Sequence, residues 1–232
     1  SRTGRRTPRV DFAQGRGVRV RLRYTKLERA VYTSHLDMVR LLARVFRRAQ
    51  ISVIYTQGFH PKPAFSFGPA WSLGAPSLGE LCEVRLDEPL AAPDLLSRLN
   101  QVVPEGLCFV GARVLADGEP PLAKLVNAAD VVLEATGAAA ELGERVRALL
   151  ANEELLVERK GQTFSVRASL LGLDIVDGAG ARRLCDVLGW PAPSPLVVAR
   201  LSCGAERSVR PRELAERLGL GEARYARVSL WT

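Results

Sequence analysis

The residues with the most evident chemistry are arginines at regular spacing near the start of the chain. One set follows the i, i+4, i+7, i+8 spacing that places side chains on one side of a helix: Arg40, Arg44, Arg47 and Arg48. A second set alternates along an apolar run, which places its side chains on one face of a strand: Arg19, Arg21 and Arg23. No acidic residue stands within the helical set, so ion pairs inside the helix do not account for it. The two sets together predict a surface that contacts the phosphates of RNA or another polyanion.

The two histidines of the chain are the candidates for acid–base chemistry. His35 falls in the first turn of the predicted helix, where it can contact a phosphate or move a proton. His60 stands two residues before Lys62 in a loop that Pro61 and Pro63 hold extended. We expect His60 and Lys62 to contact phosphate or substrate. The alternative for each histidine is an ordinary surface side chain without a functional role.

Most catalytic and cofactor motifs are missing from the sequence. It has no phosphate-binding G-x-x-x-x-G-K-[ST] loop and no G-x-S-x-G nucleophile motif. The run 178–183 begins like a dinucleotide fingerprint but has arginine where the third glycine belongs. The four cysteines are widely spaced, which predicts buried reduced thiols rather than a metal site: Cys82, Cys108, Cys185 and Cys203. We therefore expect no metal, no cofactor and, more probably than not, no catalytic activity of the chain's own.

The elements that position these residues form a repeated β/α order. Residues 18–24 alternate as a strand, and a helix begins after Ser34, a good N-cap that Asp37 supports. The predicted apolar stripe of this helix is Val39, Leu42, Phe46 and Ala49. The pattern predicts further strands at 51–55, 64–73, 79–86 and 107–115, with a second helix at 93–102.

A second cycle follows the turn-rich run 117–121. It has predicted strands at 130–136, 154–160, 163–171, 196–203 and 225–231, and helices at 138–151 and 211–218, whereas 172–195 is left unassigned. This order favours an α+β fold of two tandem ferredoxin-like (βαββαβ) sandwiches, antiparallel sheets with helices on one face. The predicted divisions are a flexible basic arm or linker at 1–17, a first half at 18–118 and a second half at 125–232.

The charge of the chain is concentrated in its first quarter. The net charge is +8, but residues 1–60 hold fourteen Lys and Arg against three acids, a net of +11, which leaves −3 for the rest. Such a segregated charge attracts polyanions. Four aromatic side chains in or near this region are candidates to stack on bases, although we expect at least two to pack in the core: Tyr24, Tyr55, Phe59 and Trp71. No apolar run has the length of a membrane span and no secretory signal is evident, so we expect a cytoplasmic protein without membrane contact.

Residues 34–80 carry motifs that resemble a known family. They are S-H-L-D at 34–37, R-x-x-x-R-x-x-R-R at 40–48, Q-G-F-H-P-K-P-x-F-S-F at 57–67 and S-L-G-E at 77–80. Together they resemble the bacterial radical-SAM-linked domain of unknown function, which occurs alone or fused behind a radical-SAM enzyme. In the second half only fragments match, at 158–161 and 210–213, and the run 165–167 is Ser-Val-Arg where the family pattern leads us to expect an aspartate.

The resemblance implies an accessory module for an enzyme that modifies RNA or another macromolecule. The chain has no C-x-x-x-C-x-x-C motif, so the iron–sulfur cluster would belong to a radical-SAM partner, in trans or fused. We therefore expect an RNA-binding accessory domain. A second likeness, of architecture alone, is to the CRISPR repeat-processing endoribonucleases, in which His35 or His60 would act without metal. A protein-interaction scaffold that docks an acidic partner is the third hypothesis.

Overall fold

The structure is a computed structural model that describes residues 16–57, 59, 61–135, 137–191, 195–203 and 208–231. Of the predicted arm at 1–17, only the last two residues fall within the described part. The strands are β1 (Val18–Lys26), β2 (Phe65–Phe67), β3 (Ser77–Leu86), β4 (Leu107–Val114), β5 (Ala128–Glu134), β6 (Leu156–Arg159), β7 (Gln162–Ser165), β8 (Leu170–Val176), β9 (Leu196–Ser202) and β10 (Tyr225–Trp231). The α-helices are α1 (His35–Arg48), α2 (Ala92–Asn100), α3 (Leu122–Leu125), α4 (Ala139–Ala151), α5 (Gly178–Leu188) and α6 (Pro211–Arg217). The α+β class predicted from the sequence is confirmed.

Eight strands form one sheet with the order β4-β1-β3-β10-β5-β9-β8, in which β2 pairs with the far end of β3. The first half therefore has the spatial order β4-β1-β3-β2, and the second half has the equivalent order β10-β5-β9-β8. Both match the βαββαβ ferredoxin-like arrangement. We had expected two separate sheets, but β3 and β10 pair in parallel where Ser77 lies opposite Arg227. The two halves thus share a continuous sheet.

Each half has its own core between the sheet and its helices. In the first half, α1 and α2 pack on β1, β3 and β4, and Leu22, Leu42 and Phe46 are fully buried. In the second half, α4 and α6 pack on β5, β8 and β9 through residues such as Leu133, Leu142 and Leu214. Alternating strand residues supply the sheet side of both cores.

Helix α5 departs from the expectation that all helices lie on one face. Val131 and Leu133 of β5 belong to the core with α4 and α6, whereas Val132 between them packs with α5. Because successive strand residues point to opposite faces, α5 covers the other side of the sheet. Its cluster also includes partly buried Leu27 and Leu78 from the first half, so α5 spans the junction.

Three predicted strands are shorter or differently placed than the sequence suggested. Predicted strand 51–55 is reduced to isolated bridges at Val53 and Tyr55, and predicted strand 64–73 to the three residues of β2. Pro63 and Pro69 flank β2, and a proline cannot donate a hydrogen bond to the sheet. Strands β6 and β7 form a separate two-stranded hairpin rather than joining the large sheet. No helix in the described ranges is long and apolar enough to cross a membrane.

Candidate nucleic-acid interface

Helix α1 is built as the sequence predicts, with a capped start and one buried side. The Asp37 backbone N–H donates to Ser34 Oγ at 3.2 Å, and the Ser34 hydroxyl donates to the Asp37 carboxylate at 2.6 Å. These contacts satisfy the exposed helix start. The buried residues are Met38, Leu42, Val45 and Phe46, followed by Ala49 at the C-cap. Val39, predicted to be in the stripe, is only half-buried, and Met38 and Val45 complete the buried side.

The arginines of α1 lie on its outer side. All four are exposed: Arg40, Arg44, Arg47 and Arg48. None of them forms a salt bridge or side-chain hydrogen bond with another described residue. The nearest acid, Asp37, has a lowered pKa, first because the Ser34 hydroxyl donates to it and further because Arg40 and Arg44 stabilise its charge. The outer side of α1 is therefore a cationic surface without bound counter-charges.

The arginines of β1 lie in a different environment. Arg21 donates through Nε and Nη2 to Glu83 Oε1 at 3.1 and 2.7 Å, and Arg19 Nη2 donates to Glu83 Oε2 at 3.0 Å. Glu83 stands directly opposite Arg21 on β3, and its side chain is only 7% exposed. Arg23 is exposed and meets only the Leu78 carbonyl oxygen, at 3.5 Å. Two of the three predicted contacts in β1 are thus committed to one acid.

The segment between the halves crosses this face of the sheet. Arg19 Nη1 donates to the Glu119 carbonyl oxygen at 2.7 Å, and Arg113 of β4 forms two hydrogen bonds with the Glu119 carboxylate, at 2.9 and 2.8 Å. The Arg113 guanidinium, with the Ala116 N–H, lowers the pKa of Glu119 from 4.5 to about 2. Leu122 of α3 is fully buried beyond it. Arg19 therefore also anchors the connection between the halves.

The histidine and loop residues are only partly brought together. His35 is exposed and packs its ring edgewise on Phe67, with centroids 5.1 Å apart. It lines a cavity of about 30 Å³ together with Lys26, which has room for roughly one water molecule. His60 lies outside the described residues. Lys62 is exposed, and its backbone exchanges hydrogen bonds with Thr56 across the base of the loop.

The four aromatic candidates for base stacking divide as expected. Tyr24 is buried in the first core and packs on Phe109, with ring centroids 5.8 Å apart. Trp71 packs on Arg227 at the junction of the halves. Tyr55 is half-buried, whereas Phe59 is fully exposed at the tip of the loop. Phe59 is therefore the aromatic side chain best placed to stack on a base.

Sequence reasoning missed a buried charged cluster where β3 meets β10. Arg227 is 2% exposed, and its Nη1 donates to Glu80 Oε1 at 3.0 Å and to the Pro69 carbonyl at 3.0 Å. The Trp71 ring covers its guanidinium, 4.4 Å from ring centroid to Cζ. Lys26 is also buried, and burial lowers its pKa. The one available signal was that continued alternation in β1 would turn Lys26 inward, which requires a buried partner.

The sequence profile of a family described as an uncharacterized protein conserved in bacteria (DUF2344) matches residues 19–211. The chain belongs to this family. The search of curated proteins finds no match to the chain. The bacterial domain of unknown function expected from residues 34–80 is thereby confirmed at the level of the family.

The DUF2344 match runs from β1 to the first residue of α6. It contains every residue predicted to contact nucleic acid, from Arg19 to Lys62, whereas Arg227 lies beyond its end. Within the described ranges, no group of three His, Cys, Asp or Glu side chains is arranged to hold a metal ion. Of the four cysteines, Cys82 and Cys185 are buried, Cys203 is half-buried and Cys108 is exposed.

Proposed function

We propose that this DUF2344 protein is an RNA-binding accessory domain that acts with a radical-SAM enzyme. The observation that carries the proposal is the outer side of α1, where four exposed arginines have no ion-pair partner among the described residues. An acid on a neighbouring element neutralises Arg19 and Arg21 but none of these four. An unneutralised row on a rigid helix can contact several phosphates at once.

Two further features support RNA rather than another polyanion. Phe59 and Lys62 stand in one exposed loop, so a stacking side chain and a cation are offered together. The sheet-and-helix architecture is also one that RNA-recognition domains use. The radical-SAM partner is supported by the resemblance of residues 34–80, and the RNA-modifying role rests on it as well.

The test is the salt dependence of binding to a labelled 20-nucleotide single-stranded RNA. We expect the affinity to fall steeply with salt, with a log–log slope of about −0.7 for each phosphate contact. The variant Arg40→Glu, Arg44→Glu, Arg47→Glu should bind more weakly and lower the magnitude of that slope by about 2. Circular dichroism should show an unchanged fold, because the substituted residues are exposed.

A control of equal charge change is Arg182→Glu, Arg183→Glu, Arg212→Glu, which alters exposed arginines of α5 and α6. This control should keep most of the affinity and the wild-type slope. Equal losses in both variants would show that net charge alone governs binding, and no measurable RNA affinity at low salt would favour the scaffold hypothesis. Site-specific RNA cleavage in chelator that His35→Ala abolishes would instead support the endoribonuclease.

A further inference from the structure

A cleft of about 390 Å³ opens between the two halves, next to the Arg227–Glu80 ion pair. It lies on the side of the sheet that carries α4 and α6, because Val131 and Leu201 of the second core line its wall. The loop after β2 contributes Trp71. Its volume falls in the range of about 300–1,000 Å³ that small-molecule sites occupy.

The polar atoms of this cleft are incompletely satisfied. Among the described residues, only two buried side-chain atoms lack a hydrogen-bond partner, Arg227 Nε and Ser208 Oγ. Both residues line this one cleft. A buried donor without a partner costs about 1–3 kcal/mol, so such groups usually mark a position that a ligand or water fills. Two of them converging on one cavity indicate a binding site.

The charge of the lining selects an anion. The side chains that line the cleft include Arg227, Arg159 and Arg210 and no acid. Glu80 and Glu213 stand behind the first two and neutralise them, whereas Arg210 is exposed and forms no salt bridge with a described residue. The excess of positive charge at the cleft is therefore at Arg210.

We propose that this cleft binds a phosphate monoester of small-molecule size. The Arg227 Nε–H, the Ser208 hydroxyl and the Arg210 guanidinium supply donors from three positions, which match the three terminal oxygens of a phosphate monoester better than the two of a carboxylate. The organic part of the ligand packs on Trp71, Val131 and Leu201. The ligand is either a free metabolite or the terminal phosphate of an RNA chain. The site does not depend on RNA binding by α1.

The test is calorimetric titration of the full chain with adenosine 5′-monophosphate as the probe, at about 150 mM salt. Adenosine 5′-monophosphate should bind, and adenosine should bind at least tenfold more weakly. Ser208→Ala and Arg210→Gln should each lower the affinity about tenfold, the usual loss for a hydrogen bond to a charged group. Arg183→Gln, on the opposite face of the sheet, should bind as the wild type does. Equal binding of adenosine, or wild-type affinity in both cleft variants, would overturn the proposal.

Two further measurements keep this result separate from RNA binding by α1. The Arg40→Glu, Arg44→Glu, Arg47→Glu variant should bind adenosine 5′-monophosphate as tightly as the wild type, and loss of binding there would place the nucleotide on α1 and refute the cleft. Bound nucleotide should also slow alkylation of half-buried Cys203, which lines the cleft, without protecting exposed Cys108. Equal protection of both cysteines, or of neither, would contradict the assignment.

A competition experiment distinguishes the two sources of phosphate. A hexaribonucleotide with a 5′-phosphate is added to the protein with bound adenosine 5′-monophosphate, beside the same oligonucleotide with a 5′-hydroxyl. Displacement by the phosphorylated form alone identifies an RNA terminus as a ligand of the cleft. Displacement by neither form identifies a free metabolite. Equal displacement by both would show that the terminal phosphate is not recognised and would overturn the proposal.

Discussion

The arginine rows of β1 and α1 have the same residue type, comparable regularity and neighbouring places in the chain, yet their environments differ. Glu83 of β3 binds both Arg19 and Arg21, whereas no described acid pairs with the arginines of α1. Regular spacing of charges therefore indicates a common face but does not indicate whether that face is available to a ligand. The adjacent element decides that.

The difference follows from the geometry of strands and helices. A residue in an antiparallel strand has a side chain directly opposite, with Cβ atoms about 4.5–5.5 Å away, and for Arg21 that residue is Glu83. The outer side of a helix has only its own i+3 and i+4 neighbours. In α1 these neighbours are Arg40 with Arg44 and Arg44 with Arg48, and like charges at this spacing destabilise a helix by a few tenths of a kcal/mol. A cost without a structural return is consistent with a binding role.

The largest effect should come from removing the acid that separates the two rows in character. Glu83→Gln keeps the shape of the side chain but leaves Arg19 and Arg21 without an anion, when their side chains are only 20% and 10% exposed. Leaving a mostly buried charge unpaired is strongly destabilising, so we expect the free energy of unfolding to fall by about 3 kcal/mol. Urea unfolding followed by circular dichroism measures it.

The matched control for Glu83 is Glu144→Gln in α4. Glu144 pairs with Arg147, but both side chains are more than two-thirds exposed. An exposed pair contributes about 0–1 kcal/mol, so the control should unfold near the wild-type midpoint. If both variants lose the same stability, the cluster around Glu83 is no more than a surface ion pair, and the contrast between the arginine rows disappears.

A smaller effect should appear in RNA binding when each row loses two charges. Arg40→Gln with Arg44→Gln should lower the magnitude of the salt slope by about 1.4, or 0.7 for each lost contact with single-stranded RNA. Arg19→Gln with Arg21→Gln removes the same charge from groups already neutralised by Glu83, and should leave the slope unchanged. The two double variants are compared at a temperature where circular dichroism shows both to be folded. A larger loss in the β1 variant would reverse our assignment of the binding surface.

Local signals predicted the elements that carry these rows. The alternation in β1, the Ser34 cap and the apolar side of α1 depend on neighbours within a few residues, and all appear in the structure. Helix α5 was left unassigned because its first turn contains Gly178 and Gly180, which weaken helix propensity. Its helical state is favoured by tertiary packing of Ala181, Cys185 and Leu188.

Contacts distant in sequence account for what the sequence did not predict. Glu83 is 62 residues from Arg21, and Glu80 is 147 residues from Arg227. No periodicity within a strand reports which partner strand will lie beside it. The cleft is hidden for the same reason, because its lining comes from β5, β6, β9, β10 and the loop after β2. Arg227 in particular read only as one polar residue in the last strand.

The smallest predicted effect concerns the Arg113–Glu119 pair, which lies on the same face as the β1 row but is more exposed. Its hydrogen bonds lower the pKa of Glu119 to about 2, so the carboxylate gains stability on folding. That contribution is fully present above about pH 4.5, the ordinary pKa, and is lost as the pH falls through about 2. In Arg113→Gln, the NMR titration midpoint of Glu119 should move up toward 4.5, while the Ala116 N–H still holds it somewhat below. Wild type and variant should differ in stability at pH 6 and converge near pH 2. A wild-type midpoint near 4.5 would show that Glu119 does not hold the connection against the sheet, and would leave Arg19 free to join the cationic surface.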